Sequence, residues 1–340
     1  MKKWGQLFIS TTLLLAVTLQ GCSSSSSSQK DVGEAGEVRK VTLVAAHVEP
    51  KEGAYQAGME KFKEVVEKES NGSIEVQIHS NGALGGNDDE LVQKMQTGTV
   101  DLIASAPGFL SQSVPEVGLF SLPYLFKNRE HWSETLDGDV GKEMSVFIEG
   151  KTDFKVLGFW IRGVRSYFGT KPVETPEDLK GIKIRTQSSP ANLETWKSFG
   201  AQPASVAFNE LYQAIQNKVV DAAENDFTNI YQMKFYEVSP FISLTEHEFL
   251  TPAFLMSQKK FDQLTDEQKK AVEKAAIEAT IAEREMDRKL AEESLQKLKE
   301  NGATINEVEK EKFVQLTEPV RQKIAKNLGL EDMVQKIMQH

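Results

Sequence analysis

From Val38 onward the apolar and polar positions follow two alternating periods. Val41 to Ala46 is an apolar-rich run with the length of a buried strand, and Tyr55, Met59, Phe62, Val65 and Val66 then recur at helical spacing until Asn71-Gly72. Ile74 to Ile78 alternates with period two, Asp88 to Thr97 predicts a short amphipathic helix, and Val100 to Ile103 a third strand. The N-terminal half therefore predicts a β-α-β-α-β unit. The pattern restarts with strands at Phe154 to Trp160 and Ile182 to Arg185, and continues with helices at Ala191 to Phe199 and Asn209 to Asn217 and a strand at Val219 to Ala222. Thr265 to Glu300 contains neither glycine nor proline. Thr265 and Gln268 form a capping box and Asn301-Gly302 a stop, which predicts one helix approaching about 50 Å. Its apolar set is alanine-rich and irregular, which favours packing on its own sheets over a coiled-coil partner.

The pattern differs at the start. Met1-Lys2-Lys3 precedes a mostly apolar run to Leu19, interrupted by Ser10-Thr11-Thr12 and too short for a permanent span. This reads as a signal peptide over residues 1–21. Leu19-Gln20-Gly21-Cys22 resembles the bacterial lipobox, whose cysteine is lipidated after cleavage; a free cysteine in an ordinary secretory leader is the alternative. Residues 22–37, beginning with Ser23 to Ser28, read as a polar tether. Cys22 is the sole cysteine, so no internal disulfide forms and the core must supply stability.

The roughly 300 residues that remain are enough for two compact domains. The formal net charge is −10, and loss of a leader carrying Lys2 and Lys3 makes it two units more negative. An acidic body argues against nucleic acid as a partner but says little about small anions, which respond to the few charges lining a pocket. No HExxH, P-loop or GxSxG pattern occurs, and His47, His79, His131, His247 and His340 are scattered. These observations favour a binding protein without metal or cofactor over an enzyme.

Thr175-Pro176-Glu177-Asp178-Leu179-Lys180-Gly181 reads as a proline-led turn stopped by glycine, and the strand that follows places Arg185 near its C-terminal end. Open α/β sheets put ligands there, and a guanidinium holds a carboxylate through two parallel hydrogen bonds. A rim salt bridge is the alternative. The stretch resembles the signature of solute-binding proteins of tripartite ATP-independent periplasmic (TRAP) transporters, of the DctP-like family and here in lipoprotein form. Leu84-Gly85-Gly86, Gly98-Thr99-Val100-Asp101, Leu122 to Phe126, Phe208 to Tyr212, Val220 to Asn225 and Lys234 to Val238 match that family in order, and the likeness covers nearly all of Val38 to Gln339.

The resemblance implies an α/β, two-domain periplasmic-binding-protein-like fold, with a ligand cleft between the domains and the long helix spanning both. Domain I is expected over 38–161 with about 251–289, and domain II over 162–250 with about 290–340, joined by crossings near Arg162 and Leu250. By resemblance Arg185 clamps the ligand carboxylate, Arg165 supports it, Asn225 hydrogen-bonds nearby, Phe208 packs on the ligand, and His47 and Asn87 read its far end. The residues themselves leave other roles open: an ion pair of Arg165 with Glu174, a core position for Phe208, a turn cap for Asn225, a structural His47.

Family members often carry Glu-Asn-Pro where this chain has Glu224-Asn225-Asp226, and an asparagine often stands at Ser188. An acid at 226, with Trp160 and with Glu224, itself a candidate substrate-binding residue, near in the pattern, favours a sugar acid such as a uronate, with a C4-dicarboxylate second. The implied partners are a small organic acid, the integral permease subunits of a TRAP transporter, and the membrane through the lipid anchor. A sensor's ligand-binding subunit or a lipid-anchored hydrolase are the rivals.

Overall fold

The computed structural model describes residues 40–339, so the leader, Cys22 and the tether lie outside the described residues. Among the described residues eleven strands form two sheets, and the first three follow the expected unit. β1 (Val41–Ala46) pairs in parallel with β2 (Ile74–His79) and β3 (Leu102–Ser105). The chain then builds β4 (Phe154–Phe159), crosses, and makes β5 (Val164–Gly169), β6 (Lys183–Thr186), β7 (Gln202–Ser205), β8 (Ala222–Asn225) and β9 (Phe241–Phe249). It returns as β10 (Ala253–Ser257) and ends its strands with β11 (Thr304–Asn306). The first sheet runs β2-β1-β3-β10-β4 and the second β11-β9-β5-β8-β6-β7.

Both sheets are covered on both faces, and neighbouring residues of one strand serve opposite cores, as the period of two requires. Phe254 and Met256 join Leu43, Phe62 and Val272 on one face of the first sheet, whereas Leu255 joins Ile103, Leu119 and Trp132 on the other. In the second sheet Phe168 packs with Ile230 and Phe235, and Tyr167 with Trp196 and Phe313.

The long helix spans Asp266–Glu300, and its capping box forms as the residues predict: Gln268 N–H donates to Thr265 Oγ1 at 3.2 Å, and Thr265 N–H to Gln268 Oε1 at 3.0 Å. Its buried alanines 271, 275, 276 and 279 let it lie close to the helix Ala54–Glu69 on the first lobe, and Leu298 enters the core of the second. One helix thus braces both lobes. No helix among the described residues is long and apolar enough to cross a membrane.

Two differences from the sequence reading concern packing. Val219 is exposed and Lys218 has a left-handed φ of 58°, so the strand expected from Val219 begins three residues later, at Ala222. The C-terminal segment, grouped with domain II, is divided: Phe313 joins the second lobe, whereas Val320 to Ile337 join the core around Trp132 and Leu136 in the first.

The lobes are linked by two adjacent crossings. Trp160 N–H donates to Pro252 O at 2.8 Å and Arg162 N–H to Leu250 O at 3.0 Å. The other edge of residues 160–163 faces the long helix, whose buried Glu283 and Asp287 accept from Ile161 N–H and Gly163 N–H at 3.1 and 3.0 Å. Side-chain carboxylates there take the place of a neighbouring strand, which satisfies a backbone that would otherwise be buried without partners.

Candidate functional site

A cavity lies between the lobes, beside the crossings. On its second-lobe side, Thr175 and Asp178 form a capping box around the turn Pro176–Leu179, and Gly181 follows at φ 80°. That turn launches β6, in which Arg185 sits opposite Ala223 on β8 and Ala204 on β7, two small neighbours that leave its long side chain room. Arg185 Nε donates to Val206 O at 2.9 Å, and the guanidinium stands 6.0 Å from the centre of the Phe208 ring. The side chain is buried and lines the cavity, and no carboxylate among the described residues lies within salt-bridge distance of it. Burial without a close counter-charge lowers its pKa to about 10, although Glu224 acts in the opposite direction from a distance.

Arg165 is placed differently. Its Nε pairs with Glu224, its terminal nitrogens donate to Asn225 Oδ1 at 3.0 Å and Glu224 O at 2.7 Å, and Glu248 lies 3.9 Å away. Its partner is therefore Glu224 rather than Glu174. Burial by itself would raise the Glu224 carboxyl, but the charge and hydrogen bond of Arg165, with the His247 ring 3.4 Å away, outweigh it and hold the pKa at about 2. Glu224 also accepts from Thr186 Oγ1 at 3.1 Å. A bulge in β9, with Glu246 at φ 43°, turns the successive residues His247 and Glu248 both inward onto this group. Glu224, His247 and Glu248 lie near enough to one another to hold a metal ion, but the Arg165 guanidinium already supplies the positive charge there.

Of the residues proposed from sequence, the structure brings Arg185, Arg165, Asn225, Phe208 and Asn87 to one cavity. Asn87 also caps the helix Asp88–Gln96, its Oδ1 accepting from Glu90 N–H at 2.8 Å, so the cap does not use its amide nitrogen. Glu224 stands behind Arg165, outside the lining. His47 is also outside it: its Nε2 meets Gln56 Oε1 at 2.9 Å, its ring packs edge-on against Tyr55, and burial lowers its pKa to about 4. Trp160 is a core residue stacked on Phe254 at 4.4 Å.

Asp226 does not offer the free carboxylate that the departure from the family pattern suggested. It caps the helix Phe227–Gln232, accepts from Asn229 N–H at 3.0 Å and Asn229 Nδ2 at 2.5 Å, and lies 3.4 Å from Arg162. Arg162, expected only as a crossing point, also lines the cavity. It pairs with Glu49 from the first lobe and Asp226 from the second, with its guanidinium 5.1 Å from the Tyr55 ring centre. Asp88, Gln187 and Asn229 also line the cavity, and the Asp226-to-Asn229 capping spacing is the local signal the sequence offers for this group.

The lobes touch at glycines. A Cβ on Gly86 would lie 3.3 Å from Asn209 Nδ2, and one on Gly108 only 2.2 Å from Gln187 Oε1. A side chain at either position would force its neighbour on the other lobe to give way.

Such an arrangement defines a two-lobed binding protein for an anionic solute. Residues 45–327 match the family described as bacterial extracellular solute-binding protein, family 7, and the chain belongs to that family. It is 32% identical over 246 residues to the 2,3-diketo-L-gulonate-binding periplasmic protein YiaO of Escherichia coli (strain K12), covering 72% of this chain and 74% of that one. It is 30% identical to the C4-dicarboxylate-binding protein DctB of Bacillus subtilis (strain 168), covering 76% and 75%. The fold matches the crystal structure of a TRAP periplasmic solute-binding protein from Sulfitobacter sp. NAS-14.1 with bound β-D-galacturonate, with a TM-score of 0.82 and 28% identity over 87% of this chain and 97% of that one. The protein is thus a TRAP-type extracytoplasmic solute-binding protein.

Proposed function

We propose that this protein captures a small organic acid, a sugar acid such as a uronate first and a C4-dicarboxylate second, and delivers it to the integral permease of a TRAP transporter while anchored through a lipid on Cys22. The observation that carries the reading is Arg185: a buried cation lining the cavity with no acidic partner in reach. Burying a charge without a counter-charge is costly, and an incoming carboxylate relieves that cost. In this reading Arg165 and Asn225 complete the carboxylate pole, Phe208 packs on the ligand, and Asn87 contacts it from the opposite lobe. Glu224 acts indirectly by fixing Arg165, and His47 by supporting Tyr55. The hinge lies at residues 160–163 and 250–252, and ligand contacts from both lobes favour the closed state. No catalytic step is proposed.

A sugar-acid ligand agrees with the galacturonate in the Sulfitobacter protein, and a C4-dicarboxylate with the name of the Bacillus relative. A thermal-shift screen of the soluble body against uronates, aldonates, C4-dicarboxylates, keto acids and amino acids tests the reading, because a ligand of the folded state raises the melting temperature. Stabilisation by one acid class supports it; no response to any acid defeats it. Incorporation of labelled palmitate by the full chain, abolished in Cys22→Ala, tests the anchor. Co-purification with a permease rather than a sensor kinase separates transport from sensing.

A further inference from the structure

Arg185 accounts for one end of a ligand, and the rest of the cavity carries a second pattern. Three buried oxygens, Asp88 Oδ1, Gln187 Oε1 and Asn229 Oδ1, have no hydrogen-bond partner among the described residues, and all three side chains line the cavity. Each residue is at least nine-tenths buried. Asp88 begins a helix on the first lobe, where its Oδ2 accepts from Ala106 N–H at 2.8 Å and leaves Oδ1 over. Asn229, on the second lobe, donates its amide nitrogen to Asn225 Oδ1 at 3.2 Å and to Asp226 Oδ2 at 2.5 Å. Its oxygen is therefore the free end. Gln187 follows β6 two residues after Arg185.

Buried acceptors without donors are rare because each forfeits its hydration for nothing. We propose that Asp88, Gln187 and Asn229 form a hydroxyl-reading wall, so that the ligand is a carboxylate bearing several hydroxyl groups. This rests on the acid-capture reading above and names the chemistry of the ligand's remaining atoms. A second carboxylate would meet Asp88 there, and the Arg162 guanidinium on the same lining is already paired with Glu49 and Asp226, with only its Nη2 left over. Burial raises the Asp88 carboxyl to about 7, so near neutrality it both donates and accepts, which matches a hydroxyl's own dual character. Because Asp88 and Arg185 belong to opposite lobes, one ligand meets both only when the cleft is closed.

The test is calorimetric titration of the soluble body with D-glucuronate, D-galacturonate, D-gluconate, tetrahydropyran-2-carboxylate, succinate and alanine. The fourth probe has a uronate's ring and carboxylate without hydroxyls. The expected result is that at least one hydroxylated acid binds about a hundredfold or more tightly than tetrahydropyran-2-carboxylate or succinate. In Asp88→Asn, which preserves shape, that acid should weaken roughly tenfold to a hundredfold while the hydroxyl-free acid is unaffected. If the hydroxyl-free acid, succinate or alanine binds as tightly as any hydroxylated acid, or if Asp88→Asn leaves hydroxy-acid affinity unchanged, the wall is overturned while acid capture stands. If no acid binds the parent protein, the acid-capture reading fails and the wall fails with it. The ligand series on the parent protein decides the matter even where a variant does not fold.

Discussion

Replacing Gly108 by alanine tests closure of the cleft without removing any side chain that faces the cavity. The new Cβ would lie 2.2 Å from Gln187 Oε1 and 3.1 Å from both Cβ and Cδ of Gln187. The amide oxygen is the far end of a flexible side chain and can swing away, which also takes it out of the hydroxyl-reading wall, so Gly86→Ala, which touches no wall residue, separates closure from that loss. Gln187 Cβ moves only with its backbone, so the lobes must stay apart by a few tenths of an ångström. Overpacking of this kind costs about 1–3 kcal/mol, and it falls on the closed state alone because opening the hinge relieves it. Affinity for the acid found in the screen should therefore weaken about 5-fold to 150-fold by calorimetry, while the ligand-free melting temperature stays essentially unchanged. Gly86→Ala, whose Cβ would stand at 3.3 Å from Asn209 Nδ2, should show a smaller loss of the same kind. Unchanged affinity in Gly108→Ala would refute closure through this contact. A fall in ligand-free stability as large as the fall in binding energy would mean that the contact belongs to folding.

Glu224→Gln should destabilise the protein by about 3–5 kcal/mol in urea at pH 7, because Arg165 keeps a buried charge without its partner. Glu224 titrates at about 2 in the folded protein against an ordinary 4.5, so its stabilisation is complete above the ordinary value and fades as pH falls toward 2. The gap between parent and variant should narrow over that window; a gap independent of pH contradicts the assignment. Asp88 behaves oppositely: with its carboxyl raised from 3.8 to about 7, the folded state binds the extra proton, and stability declines as pH rises through that interval. Asp88→Asn should accordingly raise the ligand-free melting temperature above pH 7 and lose that advantage near pH 4, even as it weakens hydroxy-acid binding. Asp287→Ala removes the acceptor for Gly163 N–H and the partner of Arg129, and should cost about 1–3 kcal/mol in urea; no loss would show that the crossing does not depend on the long helix.

The local elements were legible because their signals are local. The apolar run at Val41, the helical spacing from Tyr55 and the Thr265 capping box each fix a structure within a few residues, and Pro176 with Gly181 delimits the turn that places Arg185. β9 and β10 were not picked out. In β9 the sequence Thr245-Glu246-His247-Glu248 reads as polar surface, and only the bulge at Glu246 turns two successive polar residues inward, a tertiary event that alternation cannot express. Pairings across long separations were equally hidden: Arg162 finds Glu49 more than a hundred residues away, and Arg165 finds Glu224 rather than the nearer Glu174. Asp226 looked available as an extra acid, but its capping bonds to Asn229 commit it, and the oxygens left over belong to neighbours the sequence did not distinguish.

The central claim is that Arg185 is a buried cation awaiting a carboxylate, and Arg185→Met tests it most directly. Titrating parent and variant with the stabilising acid, and melting both without ligand, gives two numbers that an ordinary structural arginine cannot move in opposite directions. The account predicts that acid affinity falls at least a hundredfold, in line with about 3–5 kcal/mol for breaking a buried pair, while the ligand-free melting temperature holds or rises because an uncompensated buried charge has gone. Retained affinity, or a variant whose ligand-free stability collapses, contradicts it.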